Sequence, residues 1–215
     1  MNETNGSIQL VVFDLGGVLV QVVDSFSRAF GKAGVELPLS LRDESTRRAV
    51  GDINRRAEIG ELDARAFADA CARLLQLEHE HMHRVLTCWL EGPYPGAGDL
   101  LRRLTDKQIA TACLSNTNDH HWQAMTRPDG FGDLNLVALR HHFASHHLRL
   151  AKPDPAIYAH VEQQTGVAPN HIVFFDDLEV NCDGARRRGW HACQIKPDGR
   201  PVEQINAELL RLRVL

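Results

Sequence analysis

The sequence lacks a run of about 18 consecutive apolar residues, so a membrane-spanning helix is not expected. Its most apolar stretch, residues 10–23, is interrupted by Asp14, the Gly16-Gly17 pair and Gln21. The opening residues MNETNGS carry an acid and no basic segment, which argues against a secretory leader. The Asn-x-Ser/Thr triplets at Asn2 and Asn5 are then without a glycosylation route. The five cysteines (Cys71, Cys88, Cys113, Cys182, Cys193) are odd in number and form no CxxC pair. A reduced, cytoplasmic protein is the expectation. No long block of one charge occurs: 24 Lys and Arg stand against 28 Asp and Glu, for a net charge of −4. That balance leaves no basic footprint for nucleic acid. GxxxxGK[ST], GxGxxG and GxSxG are all missing, as are internal repeats.

What is present is an ordinary globular composition, 43% hydrophobic and 24% charged. Its 215 residues suit one domain, with or without a large insertion. Twelve histidines are the one excess.

Four short apolar runs read as strands: residues 8–13, 108–114, 171–175 and 190–195. The first is β-branched and reads as a buried parallel strand. Three of them end in small or charged residues: Asp14 with two glycines, Ser115-Asn116-Thr117-Asn118, and Asp176-Asp177. Between them lie helical signals. Asp154 reads as an N-cap, Pro155 as the first helical residue and Gly166 as a C-terminal stop. Alternating strands and helices predict an open parallel α/β sheet whose ligands bind at the carboxyl ends of the strands. Residues 22–92 break the pattern. They are rich in Ala, Arg, Glu and Leu, show helical spacing over 64–75 and no clear strand, and are far too long for a simple loop. They predict an inserted helical subdomain at 21–92, with the α/β core formed by 1–20 and 93–215.

Each polar cluster alone has a bland reading as a turn, cap or solvated loop. Their order along the chain is what makes them informative. VVFDLGGVL, CLSNTN, the Lys-Pro-Asp-Pro of LAKPDPAIY, and VFFDDLEVNCDGARRRGW resemble the four motifs of the haloacid dehalogenase superfamily, over essentially the whole chain. The inserted helices resemble that superfamily's first type of cap. The Gly after the nucleophile dipeptide, LSNTN, KP…IY and FFDD also resemble the sugar-1-phosphate phosphatases of that superfamily. The resemblance implies a Rossmann-like core and a Mg²⁺-dependent phosphatase acting on a small phosphorylated metabolite, such as a sugar-1-phosphate. It implies Asp14 as nucleophile, forming an aspartyl-phosphate, and Lys152 as the cation that offsets the Asp14 and phosphoryl charge. Ser115 and backbone N–H groups near Leu15, Gly16 and Asn116 would bind the phosphoryl oxygens. Asp14, Asp176, Asp177 and the Gly16 carbonyl would face Mg²⁺, a hard cation that takes oxygen ligands. Asp177 would bind through water or hold Lys152, and Asn181 would orient the Asp176-Asp177 loop.

One departure stands out. Most phosphatases of the superfamily carry a second Asp at the Gly16 position, where it protonates the leaving group. Glycine cannot, and general acid–base help is typically worth about 10²–10⁴-fold. A leaving group that needs little protonation, a substitute such as His120 or His121, or a slow or inactive protein would each be consistent with it. Two further readings follow from the same superfamily. A haloacid dehalogenase would have an aromatic residue at position 16 and no metal-binding Asp pair. A phosphonatase would need a cap lysine, and Lys32 is the only one.

Other signals are weaker. His79-Glu80-His81-Met82-His83 matches HExxH, but Leu86 and Trp89 stand where the long zinc-protease form needs Gly and His. His141-His142 and His146-His147 read as surface or supporting residues, Cys113 as packing, and Arg186-Arg187-Arg188 as a helix C-terminus favoured by the dipole. Phe26, Arg28, Arg55, Glu58, Trp89 and Asn118 are the candidate substrate-side residues of the insertion and its surroundings. No membrane or nucleic-acid partner is expected.

Overall fold

Strand β1 (Leu10–Phe13) is fully buried on both faces, which is why it reads as an unbroken apolar run. In the computed structural model, which describes residues 7–215 apart from 128, 130 and 199, it is the centre of a five-stranded parallel sheet. The Asn2 and Asn5 triplets lie outside the described residues. The other strands are β4 (Ala110–Ser115), β5 (His141–Ala144), β6 (Ile172–Asp176) and β7 (His191–Gln194), in the order β5-β4-β1-β6-β7. Register pairs Phe13 with Cys113 on one side and with Phe175 on the other. The carboxyl ends of β1, β4 and β6 are therefore side by side. Asp14, Ser115 and Asp176, far apart in sequence, arrive at one edge.

Successive side chains of a strand face opposite ways. Val11, Phe13, Val173 and Phe175 pack with Leu100 and Leu104 of helix α5 (Ala97–Asp106) and Ile205 and Leu209 of α10 (Pro201–Arg211). Leu10, Val12, Ile172 and Phe174 pack with Ile157, Tyr158 and Val161 of α8 (Pro155–Thr165) and Ala185 of α9 (Glu179–Arg187). The Asp154 carboxylate caps α8 by accepting from Ala156 N–H, and Gly166, at φ 67°, closes it.

Residues 20–93 add two short strands that composition did not reveal. β2 (Val20–Val22) and β3 (Leu90–Pro93) pair antiparallel and bracket four helices, α1 (Phe26–Ala33), α2 (Glu44–Glu58), α3 (Ala64–Leu75) and α4 (His79–Thr87). Three or four residues are too few to show alternation, and Pro93 suits only an edge. These helices bury a cluster of their own around Phe30, Phe67, Cys71, Leu75, Met82 and Val85. β5 also escaped the sequence reading. It is an edge strand that opens with His141 and His142, so it lacks an apolar signature.

The turn between α2 and α3 approaches α7 (Ser145–Leu148) closely. Gly60 sits at φ +71°, and a Cβ there would fall 2.2 Å from the His146 carbonyl oxygen. Both the backbone angle and the space require glycine. Gly60→Ala is expected to lower stability by about 1–3 kcal/mol, read from the midpoint of chemical denaturation; an unchanged midpoint would show that this contact does not position the helical unit.

Candidate active site

Lys152 is a fully buried ammonium with three protons, and all three are placed. Nζ donates to the Leu114 carbonyl at 2.8 Å and to Asp176 Oδ2 at 2.6 Å, and stands 3.0 Å from Asp14 Oδ1. It also lies 5.4 Å from the centroid of the Phe174 ring, a cation–π contact. Burial alone would lower the lysine's pKa, but the Asp14 and Asp176 charges outweigh it and hold it above the ordinary value.

Asp14 follows β1. Its N–H donates to the Phe175 carbonyl at 2.8 Å, which anchors the residue between strands. Its Oδ1 takes the Leu15 N–H at 2.7 Å and faces Lys152; no hydrogen bond reaches Oδ2 from the described residues. Asp176 is held more completely. Oδ1 accepts from Leu178 N–H and from Asn181 Nδ2, both at 2.9 Å, so Asn181 orients this carboxylate. Asp177 does not pair with Lys152; that place belongs to Asp14 and Asp176. Its carboxylate lies against Gly17 instead, where a Cβ would come within 2.7 Å of Oδ2 and φ is +72°.

Asp14, Asp176 and Asp177 present oxygens within 4.8 Å of one another, the one cluster of three potential metal ligands among the described residues. Three carboxylates facing one lysine carry a net excess of negative charge. Burial, with Asp176 and Asp177 adding repulsion and Lys152 opposing it, pushes the Asp14 carboxyl up to about 7. Burial and the Asp176 charge raise Asp177 as well. Hard oxygen donors with uncompensated charge are the donor set of a divalent cation such as Mg²⁺.

The loop after β4 completes this edge. Ser115 is buried beside the cavity described below. The Asn116 side chain does not face a ligand: Nδ2 donates to the Lys152 carbonyl and Oδ1 accepts from Lys152 N–H, both at 2.9 Å, clamping the lysine's backbone. Leu15 N–H is likewise turned onto Asp14 rather than outward. Thr117 is held by Ser145, whose Oγ accepts from its N–H at 3.0 Å and donates to its carbonyl at 3.1 Å. Neither the Asn116 clamp nor Ser145 had a signal in the sequence, because both act through backbone atoms of distant residues.

A cavity of about 420 Å³ opens beside Gly16 and Ser115 and extends under α1–α4. Phe26, Glu58, Trp89 and Asn118 line it. Arg28 and Arg55 do not; they pair with Glu91 and Asp52 at the surface. Glu58 accepts from Asn54 Nδ2 at 2.8 Å, and burial raises its pKa despite the nearby Lys152 charge. The histidines after Ser115 are spent elsewhere. On α6 (Asp119–Met125), His121 Nε2 bonds the Leu86 carbonyl at 3.0 Å, and its Nδ1 lies 3.3 Å from Asn118 Nδ2. His120 meets Thr87 and the His83 ring. The HExxH residues follow suit: His79 bonds Asp69 at 2.5 Å.

The sequence model of the haloacid dehalogenase-like hydrolases matches residues 8–189. The chain belongs to that family. Within it, the chain is 24% identical over 186 residues to a phosphorylated carbohydrates phosphatase of Thermotoga maritima, covering 85% of this chain and 82% of that one. It is also 29% identical over 121 residues to (S)-2-haloacid dehalogenase 4A of Burkholderia cepacia, a match that spans 56% of this hydrolase and only 51% of the dehalogenase. Among solved structures, a haloacid dehalogenase family enzyme of Bacteroides thetaiotaomicron in complex with magnesium and inorganic phosphate shares the fold. Its TM-score is 0.76 at 23% identity, over 89% of this chain and 96% of that one.

A raised carboxyl binds its proton in the folded state at pH values where the unfolded chain has lost it. Its ionisation therefore costs stability as pH climbs from the unfolded to the folded pKa. In metal-free protein, Asp14→Asn is expected to melt progressively above the wild type as pH rises from about 4 through about 7, the gap then levelling. Thermal melts of both proteins over that range decide it; a gap that does not grow would mean Asp14 ionises freely.

Proposed function

We propose that this hydrolase is a Mg²⁺-dependent phosphatase that cleaves a small phosphate ester through an aspartyl-phosphate on Asp14. The observation that carries the reading is the buried Lys152 pinned between Asp14 and Asp176, with Asp177 completing an acidic cluster whose charge one lysine does not neutralise. Asp14, Asp176 and Asp177, with the Gly16 carbonyl, would hold the cation. When bound, Mg²⁺ supplies the positive charge that lets an anionic ester approach an anionic nucleophile.

The residues then divide the work. Asp14 attacks phosphorus with a carboxylate oxygen, and the bond from phosphorus to the ester oxygen breaks. Lys152 holds the carboxylate in place and offsets the phosphoryl charge. Ser115 and the neighbouring N–H groups hydrogen-bond the equatorial oxygens, the kind of preorganised stabilisation that dominates phosphoryl transfer. Water then attacks the aspartyl-phosphate at phosphorus, releasing phosphate and regenerating Asp14. The α1–α4 unit, residues 21–92, acts as the cap that encloses the substrate.

Gly16 cannot deliver a proton to the leaving oxygen, and His121 has both ring nitrogens engaged. Glu58 is the remaining acid on the cavity wall outside the acidic cluster, and burial raises its pKa above the ordinary carboxyl value. It is the general acid of this reading. Sugar-1-phosphates belong in the panel of esters to be tested. A haloacid substrate fits less well, since a dehalogenase would carry an aromatic residue where this chain has Gly16 and would not need the Asp176-Asp177 pair beside Asp14.

A panel of phosphate esters, with Mg²⁺ and with chelator, tests the reaction. Release of phosphate is expected only with the metal, and Asp14→Asn should reduce it by about 10³-fold or more. Wild type and variant equally inert on every ester would contradict it. Glu58→Gln is expected to lower kcat roughly 10²-fold or more on alkyl phosphates, whose leaving group needs a proton, and little on p-nitrophenyl phosphate. Equal losses on both would remove Glu58 from that role.

A further inference from the structure

The wall of the cavity is lopsided. One end is the polar edge of the sheet, with Gly16 and Ser115. The remainder lies among Phe26, Val50, Phe67, Leu75, Met82 and Trp89, and the Phe26 and Trp89 rings meet edge to face at 5.5 Å. Four of the polar side chains around it are occupied, and the Ser115 and Thr117 hydroxyls lie at the sheet end. Arg47 is turned onto the Leu41 and Arg42 carbonyls and the Glu44 carboxylate. Asn116 holds Lys152, Asn118 caps α6 and meets His121, and His121 reaches Leu86. On the wall contributed by α1–α4, Asn54 and Glu58 are left with unfilled hydrogen-bonding capacity, and they bond each other.

A sugar placed here would bring several hydroxyls against carbon. Each hydroxyl without a partner loses its water and gains nothing in return. An alkyl or aryl group would instead replace water along a surface that gains from its removal. Pockets for small ligands have this form, apolar walls with a few placed polar groups at one end.

Resting on the phosphatase reading, we infer that the ester cleaved is that of an apolar alcohol, whose phosphate lies at Asp14, Lys152 and Ser115 and whose hydrocarbon body fills the cavity under α1–α4. Specificity then comes from the length and bulk of the hydrocarbon.

Alkylphosphonates test this without turnover. The titrated series is methyl-, butyl-, hexyl- and octylphosphonate on the Mg²⁺-loaded full chain, followed by calorimetry. Kd is expected to tighten about threefold to fourfold per methylene until the cavity is full, with the binding heat capacity growing more negative along the series. Glucose 1-phosphate should compete no better than methylphosphonate. Trp89 reports location: hexylphosphonate should shift the emission of the wild type, and the shift should vanish in Trp89→Phe. Affinity that does not change with chain length, or glucose 1-phosphate binding above the alkyl series, overturns the inference. So does tightening without the Trp89 signal, which would place the chain elsewhere. Acetyl phosphate hydrolysis, measured alongside, separates the two failures. If it is cleaved through Asp14 while chain length has no effect, the phosphatase reading stands and the apolar substrate falls.

Discussion

The site depends on one buried ammonium held between two carboxylates. Lys152 has its three protons fixed on Leu114, Asp14 and Asp176, and a buried lysine without such partners would give up its charge. Its partners come from the ends of β1 and β6, and its carbonyl acceptor from β4. The ion contacts thus tie together the three central strands at their carboxyl edge. The supporting bonds point the same way. Asn116 grips the lysine's backbone, and Asn181 and Leu178 N–H hold Asp176. What these bonds do not balance is charge. Asp177 adds a third carboxylate that Lys152 does not touch, so the cluster keeps an excess of negative charge.

Part of this edge was legible in the sequence because Asp14 and Asp176 each follow an unbroken apolar run. Residues 10–13 and 172–175 have no reason to be continuously apolar unless both faces are covered. That pattern predicts a parallel sheet, and a parallel sheet predicts that Asp14, Ser115 and Asp176 converge. Less legible were features without periodicity. β5 begins with two histidines and has a single neighbour; β2 and β3 are too short to alternate. Asn116 and Asn118 read as a generic polar loop, yet one clamps Lys152 and the other caps α6. Ser145 acts on the Thr117 backbone across 28 residues, and no composition signals that.

The histidine excess resolves mainly into packing and joints. His120 and His121 tie α6 of the core to α4, and their burial pushes both down to about 4, so they stay neutral near pH 7. His142 meets the Leu136 carbonyl, and His146 bonds the Thr117 carbonyl and faces Trp122. The two histidines nearest Ser115 in sequence therefore hold the helical unit against the core. The acid in the cavity comes from α2 instead, as Glu58. Most of the apolar wall beyond it comes from the same four helices, whereas the charged edge is assembled at the ends of β1, β4 and β6.

Asp14, Asp176 and Asp177 overbalance Lys152, and their oxygens would hold a divalent cation. Thermal melts at pH 8 across a Mg²⁺ series measure this directly. A ligand that binds only the folded state raises its stability with the logarithm of concentration above Kd. The wild type should show that rise, and Asp176→Asn should show none. A wild-type melting temperature that does not respond to Mg²⁺ would mean that the three carboxylates hold no such cation.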